Sequence, residues 1–338
     1  MGEVAEKVAD GLRQWALRRG GASAQVEHLR DLGGHSGETW GFVYSAGLVR
    51  EDLVIRLAAA GGGERANVEL VRQAPLLEAL LQSGAKVAAV RDVSDEPALF
   101  GAAYLIVDRL PGRPLVMGPD AGPEWLAPAD RQKAYQAAAG ELATIHRLDL
   151  SRLADWDVLR SPADEIALWT RAFERAAEHE WSRAGIRLAS ALLERLPGRW
   201  TPGLCHGDFQ TNNVLFSMDA GGAVVGGVVD WEIAHFGAVE HDLAWFLMMN
   251  DDQAWSPVEL RGNVDMDAVV RSYESAAGRQ MGDLSWFRAL ACYRIAAIAG
   301  YKIRLHRTGR KIDEAWERAS FSMPFFFARA HALLEGMA

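Results

Sequence analysis

The stretch that decides the fold reads His206-Gly207-Asp208-Phe209-Gln210-Thr211-Asn212-Asn213, followed downstream by Val228-Val229-Asp230-Trp231-Glu232. Between the two lie apolar, β-branched runs at Asn212–Phe216 and Val224–Asp230, on either side of Asp219-Ala220-Gly221-Gly222, a β-hairpin signal. A hairpin centred on Gly221-Gly222 sets Asn213 opposite Asp230 across its open end. A carboxylate and an amide oxygen brought together there are hard oxygen donors, suited to a Mg²⁺ that keeps some waters and binds substrate phosphates. Asp208, in the loop that enters the hairpin, is then placed beside the metal to accept a proton from an incoming hydroxyl.

An acidic proton acceptor, a metal-binding Asn shortly after it and a second metal carboxylate beyond a hairpin match the parts used in kinase-type phosphoryl transfer, with His-Gly-Asp where protein kinases carry His-Arg-Asp. At these residues the sequence resembles the aminoglycoside phosphotransferase family, a kinase-like group that includes choline kinases, macrolide kinases and the kinase domains fused to some acyl-CoA dehydrogenases. His206-Gly207-Asp208 with Asn213 is similar to the family's HGDxxxxN motif. Asp230-Trp231-Glu232, Gly237 and Asp242-Leu243-Ala244 resemble its DWE…G…DLA segment, and Leu142-Ala143-Thr144-Ile145-His146 its LAxLH helix. The resemblance runs from about Leu32 to Leu247 and is weaker in the N-terminal half.

The resemblance implies a catalytic role for Asp208, metal ligation by Asn213 and Asp230, and a nucleotide donor, ATP or GTP. Leu32-Gly33-Gly34-His35-Ser36-Gly37 resembles the glycine-rich turn over the nucleotide phosphates, with Gly34 and Ser36 as binding positions; by itself the stretch also reads as an ordinary hairpin turn. Tyr104–Asp108 and the following Arg109-Leu110-Pro111-Gly112 resemble the strand and hinge where adenine pairs with backbone groups around Asp108 and Leu110. Two departures stand out. Arg56 occupies the place of the usual phosphate-binding Lys, and Gln73 the place of its Glu partner; Glu69 is the other candidate partner. Arg56 still suits bidentate phosphate binding.

Other residues near the motif carry two readings each. His206 reads as a scaffold residue shaping the loop, and Asp242 as a hydrogen-bond acceptor bracing it. Trp231 and Glu232 either face the acceptor or pack and cap. His146, His235 and His241 lack metal-ligand spacing and read as core or surface histidines, while Trp156, Trp169 and Trp181 read as core aromatics ahead of pocket-lining ones.

Working outward, residues 1–20 carry Val4, Val8, Leu12, Trp15 and Ala16 at helical spacing, with Gly20-Gly21 as the stop. Three β-like runs follow (Val26–Leu32, Trp40–Ser45, Leu53–Leu57), then a helix over Arg65–Gln82 and a further pair at Val87–Val93 and Ala103–Asp108. Pro111-Gly112-Arg113-Pro114 continues neither a helix nor a central strand and reads as a boundary. Beyond it, Ala129–Arg147, Asp164–Leu193 (interrupted near Gly185), Asp242–Asn250, Val264–Ala277, Trp286–Leu305 and Glu314–Gly336 read as helical. The expected fold is α+β, protein-kinase-like and two-lobed. Residues 1–110 form a small antiparallel-sheet lobe for the nucleotide, and residues 111–338 a larger, mainly helical lobe for catalysis and the acceptor.

Composition narrows the function classes. With 36 basic against 45 acidic residues, for a net charge of -9, the chain lacks the basic footprint of nonspecific nucleic-acid binding. Its 2 cysteines are too few for a disulfide framework or zinc site, and no apolar run approaches the ~20 residues of a membrane span. The N-terminus lacks a secretory pattern, so a cytoplasmic location is expected. The function expected from the whole is a Mg²⁺-dependent phosphotransferase acting on a small hydroxylated acceptor, an antibiotic as in a resistance kinase, with a metabolic small-molecule or hydroxyacyl kinase as the alternative. The altered Arg56 and Gln73 positions keep open a nucleotide-binding pseudokinase that works through partners.

Overall fold

The computed structural model describes residues 3–33, 38–59, 61–116, 125–257 and 264–336. The first helix, α1 (Glu3–Gly20), buries Val8, Leu12, Trp15 and Ala16 against Phe42, Tyr44, Leu53 and Ile55. Its apolar stripe therefore covers one face of a sheet, and the Trp15 indole N–H donates to Asp92 at 2.6 Å. That sheet contains β1 (Gln25–Asp31), β2 (Glu38–Ala46), β3 (Val49–Leu57), β4 (Val90–Ser94) and β5 (Tyr104–Asp108), in the order β1-β2-β3-β5-β4, with each neighbouring pair antiparallel.

The helical stretch after β3 is two helices, α2 (Gly63–Val71) and α3 (Gln73–Gln82), where the sequence suggests one. Pro75 gives the reason: its ring clashes with the carbonyl four residues back, at Val71, where α2 stops.

The remaining elements are β6 (Arg113–Pro114), α4 (Pro128–His146), α5 (Pro162–Phe173), α6 (His179–Glu194), β7 (Pro202–Cys205), β8 (Val214–Asp219), β9 (Gly222–Val228), β10 (His235–Ala238), α7 (Val239–Met248), α8 (Met266–Ala277), α9 (Ser285–Arg307), α10 (Glu314–Ala319) and α11 (Met323–Leu334). Helix α9 is buried along most of its length, and Leu290, Tyr293, Ala296 and Ile303 share a core with Phe173, Leu188, Trp245 and Phe326. Glu314–Gly336, expected as one helix, is broken by a 3₁₀ turn at Ser320–Ser322 just before Pro324. No helix of the described residues is long and apolar enough to cross a membrane.

The structure corrects two further expectations. The interruption in the 164–193 region falls between Phe173 and His179, while Gly185 lies inside α6. There Gly185 serves close approach: a Cβ on it would sit 2.4 Å from the Phe173 ring. The hairpin turn is Ala220-Gly221, because β8 ends at Asp219 and β9 begins at Gly222. Its centre is one position earlier than the sequence suggests, and Asp230 lies past the end of β9, so the strand ladder does not deliver the pairing of Asn213 with Asp230.

The chain divides into two compact units, Met1–Gly112 with Gly226–Glu232 and Arg113–Val225 with Ile233–Ala338. Asp230, Trp231 and Glu232 thus group with the N-terminal residues, whereas the sequence reading placed them in the C-terminal lobe. Two contacts account for this. The Val228 N–H donates to the Lys86 carbonyl at 2.8 Å, and Leu110 packs so closely on Gly227 that a Cβ there would lie 2.5 Å from Leu110 Cδ1.

Candidate active site

The His-Gly-Asp loop leaves the end of β7, which pairs with β10 in the register His235↔Cys205 and Phe236↔Leu204. Sequence periodicity misses both strands because each has only four residues. Gly207 takes φ +86°, and a Cβ there would lie 2.6 Å from the Ile233 carbonyl oxygen. Only glycine meets both the left-handed conformation and the close approach, which explains locally why this loop carries Gly between His206 and Asp208.

Asp242, in the first turn of α7, holds the loop by its backbone. Its carboxylate accepts the N–H of His206 at 2.5 Å and of Gly207 at 2.9 Å, and lies 3.3 Å from His146 Nε2. The far side of that imidazole, Nδ1, meets the Tyr273 hydroxyl at 2.7 Å. Burial by itself raises the Asp242 pKa, but the His146 hydrogen bond and the nearby His146, His206 and His235 outweigh it and hold the carboxyl well below the usual range. Asp242 is therefore a buried anion tying α4, α7 and α8 to the loop. His146 belongs to this brace, which the sequence could not reveal because nothing in the spacing links α4 to α7.

The Asp208 carboxylate is surrounded by donors. Gln210 Nε2 is 3.0 Å from both of its oxygens, Asn213 Nδ2 is 3.1 Å from Oδ2, and the Trp245 indole N–H is 3.0 Å from Oδ1. Asn213 Nδ2 also donates to the Asp208 carbonyl at 2.9 Å. Asp208 and Asn213 are thus brought together by the turn Thr211–Asn213, and the amide hydrogens are committed to Asp208, leaving Asn213 Oδ1 as the oxygen to offer a cation. The Asp208 N–H donates to His206 Nδ1 at 3.2 Å, and the buried Phe209 packs edge-on against Phe246. Gln210 and Trp245 are site residues that sequence reasoning missed: Trp245 lies three residues after Asp242 on α7 and looks like any core aromatic.

Behind the loop lies a buried charge cluster. Arg294 of α9 stacks on Trp245 at 4.3 Å and Trp169 at 5.0 Å. Desolvation lowers its pKa, opposed by Glu165, Asp208 and Asp242. Glu165 accepts the Trp169 indole N–H at 3.0 Å and faces His235 at 3.3 Å, placing Trp169 and His235 in this network. His241, wholly buried beside it, is pushed down to about 4 by desolvation.

In the other unit, Arg56 donates to Gln73 Oε1 at 2.9 Å, and its Nη2 lies 3.5 Å from Asp230 and 3.6 Å from Glu232. Its acidic neighbours therefore come from the Asp-Trp-Glu segment and not from the helix, while Glu69 pairs with Arg65 at 2.7 Å. Asp230 stands in the left-handed region at φ 68°, an uncommon place for a residue with a side chain. Trp231 is buried and donates its indole N–H to the Val228 carbonyl at 3.1 Å, a packing environment, whereas Glu232 is half-buried beside Arg56. The Asp108 N–H goes to the Ala89 carbonyl at 2.9 Å and its carboxylate pairs with Arg91, while Leu110 packs on Gly227. Gly34 and Ser36 lie outside the described residues. Among the described residues no group of three or more His, Cys, Asp or Glu is arranged to hold a metal.

The profile of the phosphotransferase enzyme family matches residues 29–290. The chain belongs to this family. Among curated relatives of this family member, the acyl-CoA dehydrogenase family member 10 of Mus musculus is 27% identical over 270 residues, covering 75% of this chain and 24% of the relative. The chain thus spans about a quarter of that protein's length. Among solved structures, a candidate aminoglycoside phosphotransferase from Ralstonia eutropha JMP134 superposes with a TM-score of 0.76 at 20% identity, covering 96% of this chain and 98% of that one. The GDP complex of aminoglycoside 2'-phosphotransferase-IIIa gives a TM-score of 0.63 at 14% identity, covering 95% and 97%. Kinase-like phosphotransferases therefore share the fold of this family member.

Proposed function

We propose that this phosphotransferase-family chain is a Mg²⁺-dependent kinase that moves the γ-phosphoryl group of ATP or GTP to a hydroxyl of a small molecule. The surroundings of Asp208 carry this reading: a partly exposed carboxylate held by fixed donors, on a loop braced by a buried anion, next to an amide oxygen suited to a cation. In the reaction the acceptor oxygen forms a bond to the γ-phosphorus, the bond from that phosphorus to the leaving nucleotide oxygen breaks, and Asp208 takes the hydroxyl proton.

Asn213 Oδ1 and Asp230 are the proposed metal ligands. One amide and one carboxylate suit a Mg²⁺ that draws the rest of its shell from water and phosphate, and the bound ion supplies charge neutralisation. Arg56, oriented by Gln73, binds phosphate oxygens, and its closeness to Asp230 and Glu232 favours placing all three at the phosphate end of the nucleotide. Gly34 and Ser36 cover the phosphates in this reading, and the backbone around Asp108 and Leu110 meets the base. His206 and Asp242 support the loop. Glu232 is the better candidate for acceptor contact than Trp231, whose N–H is spent on Val228. Residues 1–110 serve the nucleotide and 111–338 carry catalysis and the acceptor, with the Asp-Trp-Glu segment returning to the first group.

An antibiotic and a metabolic alcohol both fit this reading as acceptor, and a cytoplasmic location is proposed with it. The test is phosphoryl transfer from Mg·ATP and Mg·GTP across a library of hydroxyl compounds, with wild type, Asp208→Asn and Asp230→Asn. Asp208→Asn should lower transfer by about 10²–10⁴ while nucleotide binding persists, and Asp230→Asn should raise the Mg²⁺ requirement. Near-normal transfer by Asp208→Asn refutes the assignment.

A further inference from the structure

An ionised carboxylate offers four lone-pair sites, two on each oxygen, and at Asp208 three nitrogens crowd them, one of which spans both oxygens. Oδ1 accepts from Trp245 Nε1 and Gln210 Nε2, both at 3.0 Å. Oδ2 accepts from Asn213 Nδ2 at 3.1 Å and from Gln210 Nε2 at 3.0 Å. A hydroxyl that is to give its proton to Asp208 must therefore displace a donor already there.

The three donors differ in how firmly they are held. Trp245 is buried and its ring lies under the Arg294 guanidinium at 4.3 Å, so the indole N–H is fixed by packing. Asn213 is anchored a second time, by the 2.9 Å bond to the Asp208 carbonyl. Gln210 is partly exposed, has a longer side chain with more rotatable bonds, and divides one amide group between two oxygens. It alone contacts both oxygens of the carboxylate.

We propose that Gln210 Nε2 marks the position of the acceptor hydroxyl in the resting protein and gives way to it, while Trp245 is a positioning residue that keeps the carboxylate in place during the exchange. The proposal rests on Asp208 being the proton acceptor. Its consequence is protection of the nucleotide: with Gln210 across Asp208, water has no site from which to be deprotonated, so hydrolysis in the absence of acceptor is held down. Gln210 and Trp245 share one carboxylate, yet their removal acts in opposite directions.

The experiment measures hydrolysis of Mg·ATP and Mg·GTP without acceptor, in wild type, Gln210→Ala, Trp245→Phe and Asp208→Asn. Removing the amide opens the place to water, and hydrolysis by Gln210→Ala should rise about fivefold or more; Trp245→Phe keeps the aromatic bulk but not the N–H and should fall by a similar factor. Asp208→Asn should be slower than wild type, and if it is not, the assignment of Asp208 itself fails. If Asp208→Asn is slow but Gln210→Ala is no faster than wild type, the gate is overturned and the base assignment stands. The ¹⁵N–¹H indole resonance of Trp245, assigned by its loss in Trp245→Phe, gives a readout apart from activity. It should stay in place in Gln210→Ala and move in Asp208→Asn. Equal movement in both would mean that Gln210 holds the carboxylate, which overturns the proposal.

Discussion

Replacing Asp242 by Asn tests the brace under the His-Gly-Asp loop with a change of one atom type. The carboxylate accepts two backbone N–H groups, from His206 and Gly207, one on each oxygen, and is almost wholly buried. An Asn keeps one acceptor oxygen and turns its NH₂ towards the other backbone N–H, so one charge-assisted bond is lost, one loses its charge, and two donors confront each other. With hydrogen bonds to charged groups worth ~1.5–3 kcal/mol, the loss is about 3–5 kcal/mol. For a protein of this size that lowers the melting temperature by roughly 4–7 °C. The sign with pH follows from the depressed Asp242 pKa. The contribution is complete above the unfolded value of about 4 and is lost as pH falls towards the folded one. Urea unfolding of wild type and Asp242→Asn at pH 7 reads the difference directly. A gap under about 1 kcal/mol refutes the account of Asp242 as the anion on which the loop is held.

Three further outcomes follow from particular contacts. His241 is held near 4 by burial, so between about pH 6.5 and 4 the unfolded chain takes up a proton that the folded one refuses. Wild type should lose about 2 kcal/mol between pH 7 and 5, His241→Gln should lose less over the same range, and equal slopes would contradict a neutral buried imidazole. Gly207→Ala meets both a positive φ and the Ile233 carbonyl, and about 2–4 kcal/mol of destabilisation together with lost phosphoryl transfer is expected; a variant as stable as wild type would show that the loop relaxes. Gly185→Ala pushes a methyl into the Phe173 ring and should cost about 1–3 kcal/mol, with recovery in the double variant that adds Phe173→Leu, as chemical denaturation would show.

Much of the candidate site is legible in the chain because its chemistry is local. Asp208 and Asn213 lie on one short turn, and the loop's requirement for Gly207 is written beside them. The first helix is equally legible: the spacing of Val8, Leu12 and Trp15 states which face must be buried. What the sequence hides is long-range. Asp242 reaches back to a loop on β7, His146 comes to it from α4, and Trp245 turns its indole N–H to Asp208 while Arg294 arrives from α9.

Two local expectations about where the chain breaks and turns failed. Gly185 reads as a break until Phe173 is seen to need its missing Cβ, and the turn at Ala220-Gly221 moves the hairpin centre by one residue. The ionic partners of Arg56 were likewise out of reach. Gln73 follows from the family resemblance, but Asp230 and Glu232 approach because the chain returns to the first unit at Gly226. By itself the sequence singled out the candidate reacting groups and most of the helices and strands, since both depend on residue type and near neighbours. Only the tertiary structure decided which buried charges hold those groups still, because a hydrogen bond between distant elements leaves no periodicity behind.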